Sequence, residues 1–193
     1  VLLRGGKMSK SRGNIVLLKD LVDSWGPDTT RLAMVIAAEV PQDFEISDEL
    51  LNTAARTIEN IMNIVEKLSS IEVGNECNRL VDRWFLAEFN TLIDRIANAF
   101  ENVKLREAAI VTLFGIRDLI EKYISISGKP CIELRKVVES WIKMLSPFIP
   151  FVAEELWHRL GKETLVVVEQ WPTPWFRDDS SRLAMKFIDM IID

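Results

Sequence analysis

Apolar positions recur at three-and-four spacing through most of this chain, the period of helices that bury one face. From Ser47, "SDELLNTAARTIENIMNIVEKLSS" places Leu50, Leu51, Ala54, Ile58, Ile61, Met62, Val65 and Leu68 on one stripe, behind a serine suited to cap it. After the turn "VGNECN", "RLVDRWFLAEFNTLIDRIANAFEN" repeats the stripe through Val81, Trp84, Phe85, Phe89, Leu92, Ile93, Ile96 and Phe100. "KLREAAIVTLFGIRDLIEKYIS" continues it through Leu105, Ala109, Leu113, Ile116, Ile120 and Tyr123, until Gly128 and Pro130 stop it. Pro147 and Pro150 then divide two further helices, "CIELRKVVESWIKMLSPF" and "PFVAEELWHRL".

The two ends read differently. Val1 to Asn14 is loop-like, with glycines and no apolar period. "LLKDLVDSWG" reads as a short helix closing on Gly26, and Pro27 with Asp28 opens a longer one, "PDTTRLAMVIAAE". "VPQDFEIS" breaks the pattern at Pro41. Near the carboxy end, "TLVVVEQWP" suits a short strand or an extended segment, and "SSRLAMKFIDMIID" a helical or strand-like element. One-faced helices joined by short links bury their stripes against one another, so the expected fold is an all-α, mostly antiparallel helix bundle. The expected divisions are a loop over 1–14, a short helical region over 15–46, the bundle over 47–176, and the start of a further region over 177–193.

Composition narrows the function. A chain of 193 residues, 48% hydrophobic, can bury one sizeable core. Its apolar runs are too short to cross a bilayer, and no signal peptide opens it, so a cytoplasmic protein without a membrane partner is expected. Cys77 and Cys131 are far apart and form no CxxC, which reads as two reduced thiols. With one histidine, His158, on a helix surface, no metal site is expected. A net charge of −5 does not advertise a nucleic-acid partner, but binding needs only a local basic stripe. The chain starts at Val1 and meets a loop motif within a few residues, which is expected of a piece of a longer protein.

That motif is "RGGKMSKSRGN", Arg4 to Asn14. Glycines let backbone N–H groups approach an anion, Lys7 and Lys10 supply mobile charge, and Ser9 and Ser11 add hydroxyl donors. A polyphosphate loop fits this chemistry. It is not a Walker A loop, because Met8 follows Lys7 where that motif needs Ser or Thr. Composition alone is a weak signal, since basic, serine-containing loops are common and many are simply solvated or are kinase substrates.

The string "KMSKS", Lys7 to Ser11, resembles letter for letter the second signature of the class I aminoacyl-tRNA synthetases. The resemblance extends over nearly the whole chain. "GPDTTRLAMVIAAE" resembles the helix after the loop, "DRWFLAEFN" a helix of the anticodon-binding bundle, "LSPFIPFVAEELWHRLG" its late helix, and "VVVEQWP" the segment that closes it. "RLAMVIAAEVPQDFE" and "VKLREAAIVTLFGIRDLI" are most similar to the leucyl branch of archaeal type; valyl, isoleucyl and methionyl branches are the alternatives.

The resemblance implies activation of an amino acid by ATP, with Mg2+, and its transfer to tRNA. It implies that Lys10, supported by Lys7, contacts the departing pyrophosphate, with Met8, Ser9, Ser11 and backbone N–H groups completing the nucleotide site. The class has a second signature, HxGH, which a chain with one histidine cannot hold. The polypeptide alone is therefore expected to catalyse nothing. Basic residues offered as tRNA contacts, by charge and location only, are Arg79, Arg83, Lys104, Arg106, Lys129, Arg135 and Lys136. Trp84, Trp141, Trp157 and Phe89 read as core rather than as nucleotide platforms, and Asp82 and Arg83 as capping or pairing groups. Two other readings compete: a non-catalytic tRNA-binding or assembly module, and a protein-interaction bundle with an accidental basic tail.

Overall fold

Helix ends in this chain are set by residues visible in its sequence. The computed structural model describes residues 2–3, 6–7, 15–39, 43 and 45–192. Helix α1 spans Leu18–Trp25 and stops at Gly26, whose φ of 79° is open to glycine at no steric cost. Pro27 is the first residue of α2, Pro27–Ala37, where its missing N–H costs nothing. Helix α3, Asp48–Ser70, is capped as expected: the Ser47 hydroxyl accepts the Leu50 N–H at 3.2 Å. The long helix α4, Leu80–Glu101, comes next. Then come α5, Leu105–Ile110, and α6, Ile116–Ser127, then α7, Leu134–Leu145, and α8, Pro150–Arg159, with Pro150 at its start. Helix α9 covers Asp179–Ile192.

The expected all-α bundle is what forms. Leu51, Ile61, Phe85, Phe89, Ile93, Ile96, Leu113, Ile120, Trp141 and Leu145 share one continuous core. Phe85 and Tyr123 stack with ring centroids 4.0 Å apart, tying α4 to α6. Trp84, Trp141, Trp157 and Phe89 are all buried, as their helical spacing implied. No helix among the described residues is long and apolar enough to cross a membrane.

Three features differ from the sequence reading. Leu2–Leu3 pairs antiparallel with Gly6–Lys7, so the expected opening loop contains a two-residue ladder. The stripe from Lys104 to Ser127 is not one regular helix, because Val111–Gly115 is a wider turn of five-residue spacing in which the Ile116 N–H reaches the Val111 carbonyl. The buried indole N–H of Trp141 donates to the Thr112 carbonyl there at 2.7 Å.

The third difference is long-range. Cys77 and Cys131 are a disulfide, not two separate thiols. Antiparallel packing brings the turn after α3 against the turn after α6, where the Gly74 N–H also donates to the Pro130 carbonyl at 2.7 Å. Helix α9, in the stretch 177–193 expected to begin a further region, packs along α4. Arg182 pairs with Glu88 at 2.8 Å and Lys122 with Asp189 at 2.6 Å. Between α8 and α9, Val166–Val168 forms one tight turn and the chain then runs without regular secondary structure to Asp179.

The short helical region is fastened to the bundle by charges. Asp28, on α2, accepts the backbone N–H groups of Phe151 (3.4 Å) and Val152 (2.7 Å), and so caps α8 from outside. Arg31 donates twice to the Pro147 carbonyl, at 3.0 and 2.9 Å. Beyond the other end of α2, Glu39 accepts from the backbone N–H groups of Arg106 and Glu107 at the start of α5. Burial pushes the Asp28 carboxyl up, against the lowering effect of its two backbone donors and Arg31. Folding therefore favours the protonated acid, and ionisation as pH rises past the usual carboxylate range removes stability. Asp28→Ala is expected to cost about 1–2 kcal/mol, read as a lower thermal midpoint, because it leaves two helix N–H groups without an acceptor. Asp28→Asn is expected to cost less, since an amide oxygen still accepts.

Candidate nucleic-acid interface

The helix α4 is the platform on which the candidate surface is built. At its start the Asp82 carboxylate is fully buried and accepts four hydrogen bonds. Three come from Arg79: the backbone N–H at 3.2 Å, Nε at 2.8 Å and Nη2 at 2.7 Å. The fourth comes from the Tyr123 hydroxyl at 2.7 Å. That hydroxyl accepts in turn from the Cys131 N–H at 2.8 Å. Arg79 also donates to the carbonyls of Ser127 and Lys129. Burial and the Asp82 hydrogen bond both push the Tyr123 phenol up, so it stays a neutral donor.

Further along α4, the "DRWFLAEFN" residues hold the carboxy-terminal segment in place. Arg83 pairs with Asp178 at 2.7 Å. Asn90, fully buried, accepts the backbone N–H groups of Trp175 (2.5 Å) and Phe176 (3.3 Å), while its amide donates to Leu86. Asp178 itself caps α9, accepting the Ser181 N–H at 3.1 Å. Its carboxyl is pulled down to about 2, first by the Ser180 hydroxyl and then by Ser181, with Arg83 adding less. The stabilisation it gives is present above the usual value of 3.8 and is lost as pH falls through about 2.

The sequence-derived basic residues separate into two groups once partners are known. The guanidinium groups of Arg79, Arg83 and Arg106 are occupied inside the protein, Arg106 by the Ile36 carbonyl at 2.8 Å. Lys104 and Lys129 are in exposed pairs with Glu107 and Glu72, which solvent weakens and a phosphate can displace. The Arg135 guanidinium has no hydrogen bond or ion pair among the described residues. Lys136 has no carboxylate partner and lies 4.1 Å from the ring centroid of Trp175. Position separates them too. Lys129 meets Arg79 at the start of α4, while Lys104 and Arg106 lie beyond its far end, about 30 Å away for a helix of this length.

Of the loop residues, Lys7 closes the small ladder opposite Leu2, and Met8, Ser9, Lys10 and Ser11 lie outside the described residues. The helices after the loop are fixed: α1 leads into α2, which Asp28, Arg31 and Glu39 bind to the bundle. Sequence reasoning missed those three, and it missed Asn90. No local pattern signals a carboxylate that caps a helix more than a hundred residues away. Among the described residues, no group of three His, Cys, Asp or Glu side chains is placed to hold a metal.

A helix bundle that carries a basic glycine loop on a clamped pair of short helices is the kind of module found in class I tRNA ligases. Residues 82–193 match the family described as the anticodon-binding domain of tRNA ligase, and residues 1–69 match tRNA synthetases class I (M). The chain belongs to the anticodon-binding domain family of tRNA ligases.

Relatives agree along the whole length. The leucine–tRNA ligases of Pyrobaculum calidifontis and Methanopyrus kandleri are each 34% identical over 195 residues. That of Ignicoccus hospitalis is 36% identical over 207 residues. Each alignment takes in 100% of this chain and 20% of the relative, so the chain spans about a fifth of the length of the curated relatives it matches. Among solved structures, a ternary complex of an Agrobacterium radiobacter LeuRS with tRNA and LeuAMS shares the fold. Its TM-score is 0.74 at 21% identity, over 94% of this chain and 24% of that one.

Proposed function

We propose that this chain is the part of a leucine–tRNA ligase that joins the pyrophosphate-gripping loop to the tRNA-holding bundle. The observation that supports it most is the similarity to leucine–tRNA ligases over all of the chain, with the KMSKS string in place. The geometry adds a reason for the two parts to travel together. Asp28 and Glu39, near the two ends of α2, each hold the start of a different bundle helix. A loop leading through α1 into α2 is thereby referenced to the surface that holds the RNA.

In this reading ATP and leucine are the small substrates, with Mg2+ accompanying ATP, and the protein works in the cytoplasm. The carboxylate of leucine attacks the α-phosphorus, pyrophosphate leaves, and the adenylate passes its acyl group to tRNA. Lys10 and Lys7 stabilise charge on the leaving oxygens, and Ser9, Ser11 and backbone N–H groups of the loop position them. Arg135 and Lys136 are the first choices for tRNA phosphates, with Lys104 and Lys129 after them. Arg79, Arg83 and Arg106 act mainly by holding the surface in shape. The test is aminoacylation of total tRNA by the full-length protein with leucine, isoleucine, valine and methionine offered separately. Charging with leucine alone is expected. Charging with another of the four, or with none, overturns the assignment.

A further inference from the structure

The stretch between α3 and α4, residues 71–79, and the turn between α6 and α7, residues 128–133, have no regular secondary structure. They lie against each other, held by a short set of links. The Gly74 N–H donates to the Pro130 carbonyl at 2.7 Å. Arg79 donates to the carbonyls of Ser127 at 2.6 Å and Lys129 at 2.7 Å. The Lys129 ammonium pairs with Glu72 in solvent. The covalent link is the Cys77–Cys131 disulfide, between residues 54 apart in sequence.

The two sulfurs differ in access. Cys131 is 1% exposed, while Cys77 is only partly buried. A thiolate breaks a disulfide by attacking whichever sulfur it can reach, so attack falls on Cys77 and Cys131 is the leaving group. Accessible disulfides are the labile ones.

What the cross-link holds is local. The core joining α3, α4, α6 and α7 is made by side chains such as Ile61, Phe89, Ile120 and Trp141, and is not built on the two cysteines. The buried Asp82 carboxylate keeps both the Arg79 guanidinium and the Tyr123 hydroxyl when the turn leaves; the phenol loses only the Cys131 N–H. Without the disulfide, single hydrogen bonds and one exposed ion pair oppose the freedom that the turn gains on opening.

We propose that Cys77–Cys131 is a redox-sensitive clasp. Oxidised, it fixes the α6–α7 turn against the stretch before α4. A dithiol releases it. One thiolate of the reductant attacks the Cys77 sulfur, the S–S bond breaks, and the Cys131 thiolate leaves and takes up a proton. The second thiol of the reductant then displaces Cys77 as a thiol and closes its own disulfide, so two electrons and two protons pass to the protein. The turn then opens locally while the bundle stays folded. The clasp stands apart from the ligase reading, which leucine charging tests by itself.

The test is hydrogen exchange of the full-length protein, read peptide by peptide in oxidised and in reduced dithiothreitol. Reduction is expected to speed exchange in the peptides covering 71–79 and 128–133 about tenfold or more, with α4 and α7 still protected over the same interval. Reoxidation is expected to restore the slow rate. Cys77→Ser is expected to exchange fast in both buffers, and the wild type carries the test alone if that variant fails to fold. Equal exchange of the wild type in both buffers overturns the clasp. So does loss of protection throughout α4 and α7, which would make the disulfide a support of the whole fold. Alkylation read by mass spectrometry checks the chemistry. Both cysteines free in the oxidised buffer overturn the assignment. A glutathione adduct on Cys77 supports the route of attack, and one on Cys131 alone overturns it.

Discussion

On the proposed ligase function, Lys10→Ala in the full-length protein is expected to slow adenylate formation about a hundredfold, or about 3 kcal/mol, while leucine binding changes little. The asymmetry comes from where charge appears. In the ground state ATP already carries its negative charge in water or in contact with counter-ions. As the carboxylate of leucine reaches the α-phosphorus, charge moves toward the bridging oxygen and the departing pyrophosphate. An ammonium placed there in advance gains more in the transition state than in the bound substrate, and only that difference accelerates the step. In an in-line displacement leucine enters opposite the departing pyrophosphate, away from a charge that serves the leaving group. Lys7→Ala is expected to act in the same direction with a smaller effect. Single-turnover formation of the adenylate measures both, and an unchanged rate in Lys10→Ala would remove the loop from the chemistry. The clamps on α2 bear on the size of the effect. A charge works catalytically only when its position is fixed before reaction, and Asp28, Arg31 and Glu39 fix α2, to which α1 joins the loop.

Much of this framework was legible because the information is local. A helix with a three-and-four stripe declares its buried face within its own twenty residues, as α3 and α4 do, and Ser47, Pro27 and Pro150 mark ends by chemistry confined to one turn. The reading weakened wherever the deciding partner was distant. The stretch from Ser180 looked helical or strand-like because its apolar residues suit both periods; packing along α4 settles it as helix. The wide turn at Thr112 has no sequence mark, since the carbonyl it presents is used by Trp141, on another helix. Cys77 and Cys131 gave no motif because fold, not spacing, makes them neighbours. The candidate surface shows the same limit. Charge is visible in the sequence, but whether an arginine faces solvent or holds a carbonyl is not. Arg79 and Arg135 look alike as letters, yet Arg79 is tied to Asp82, Ser127 and Lys129, while Arg135 has no such partner among the described residues.

The largest loss of stability is expected at the node Arg79 helps to build. Asp82→Ala removes the one acceptor shared by the Arg79 guanidinium and the Tyr123 hydroxyl, in a site with no access to water at the carboxylate. The Tyr123 side chain is fully buried and has nowhere else to donate, so it keeps the desolvation cost without the bond. Arg79 is half exposed and can turn to water, which makes its share of the loss small. The start of α4 also loses its cap, because the Arg79 N–H was answered by the same carboxylate. Together these are expected to cost about 3 kcal/mol, or about 6–12 °C in the thermal midpoint for a chain of this size. Glu72→Ala, which breaks only the exposed pair with Lys129, is expected to cost less than about 1 kcal/mol. Tyr123→Phe separates the parts. Once the hydroxyl is gone, Asp82→Ala no longer strands a buried donor, so its penalty should shrink in the double variant. A penalty that stays the same in both backgrounds would show that Asp82 acts through Arg79 and the helix cap alone, and that the phenol finds another acceptor when the carboxylate is absent.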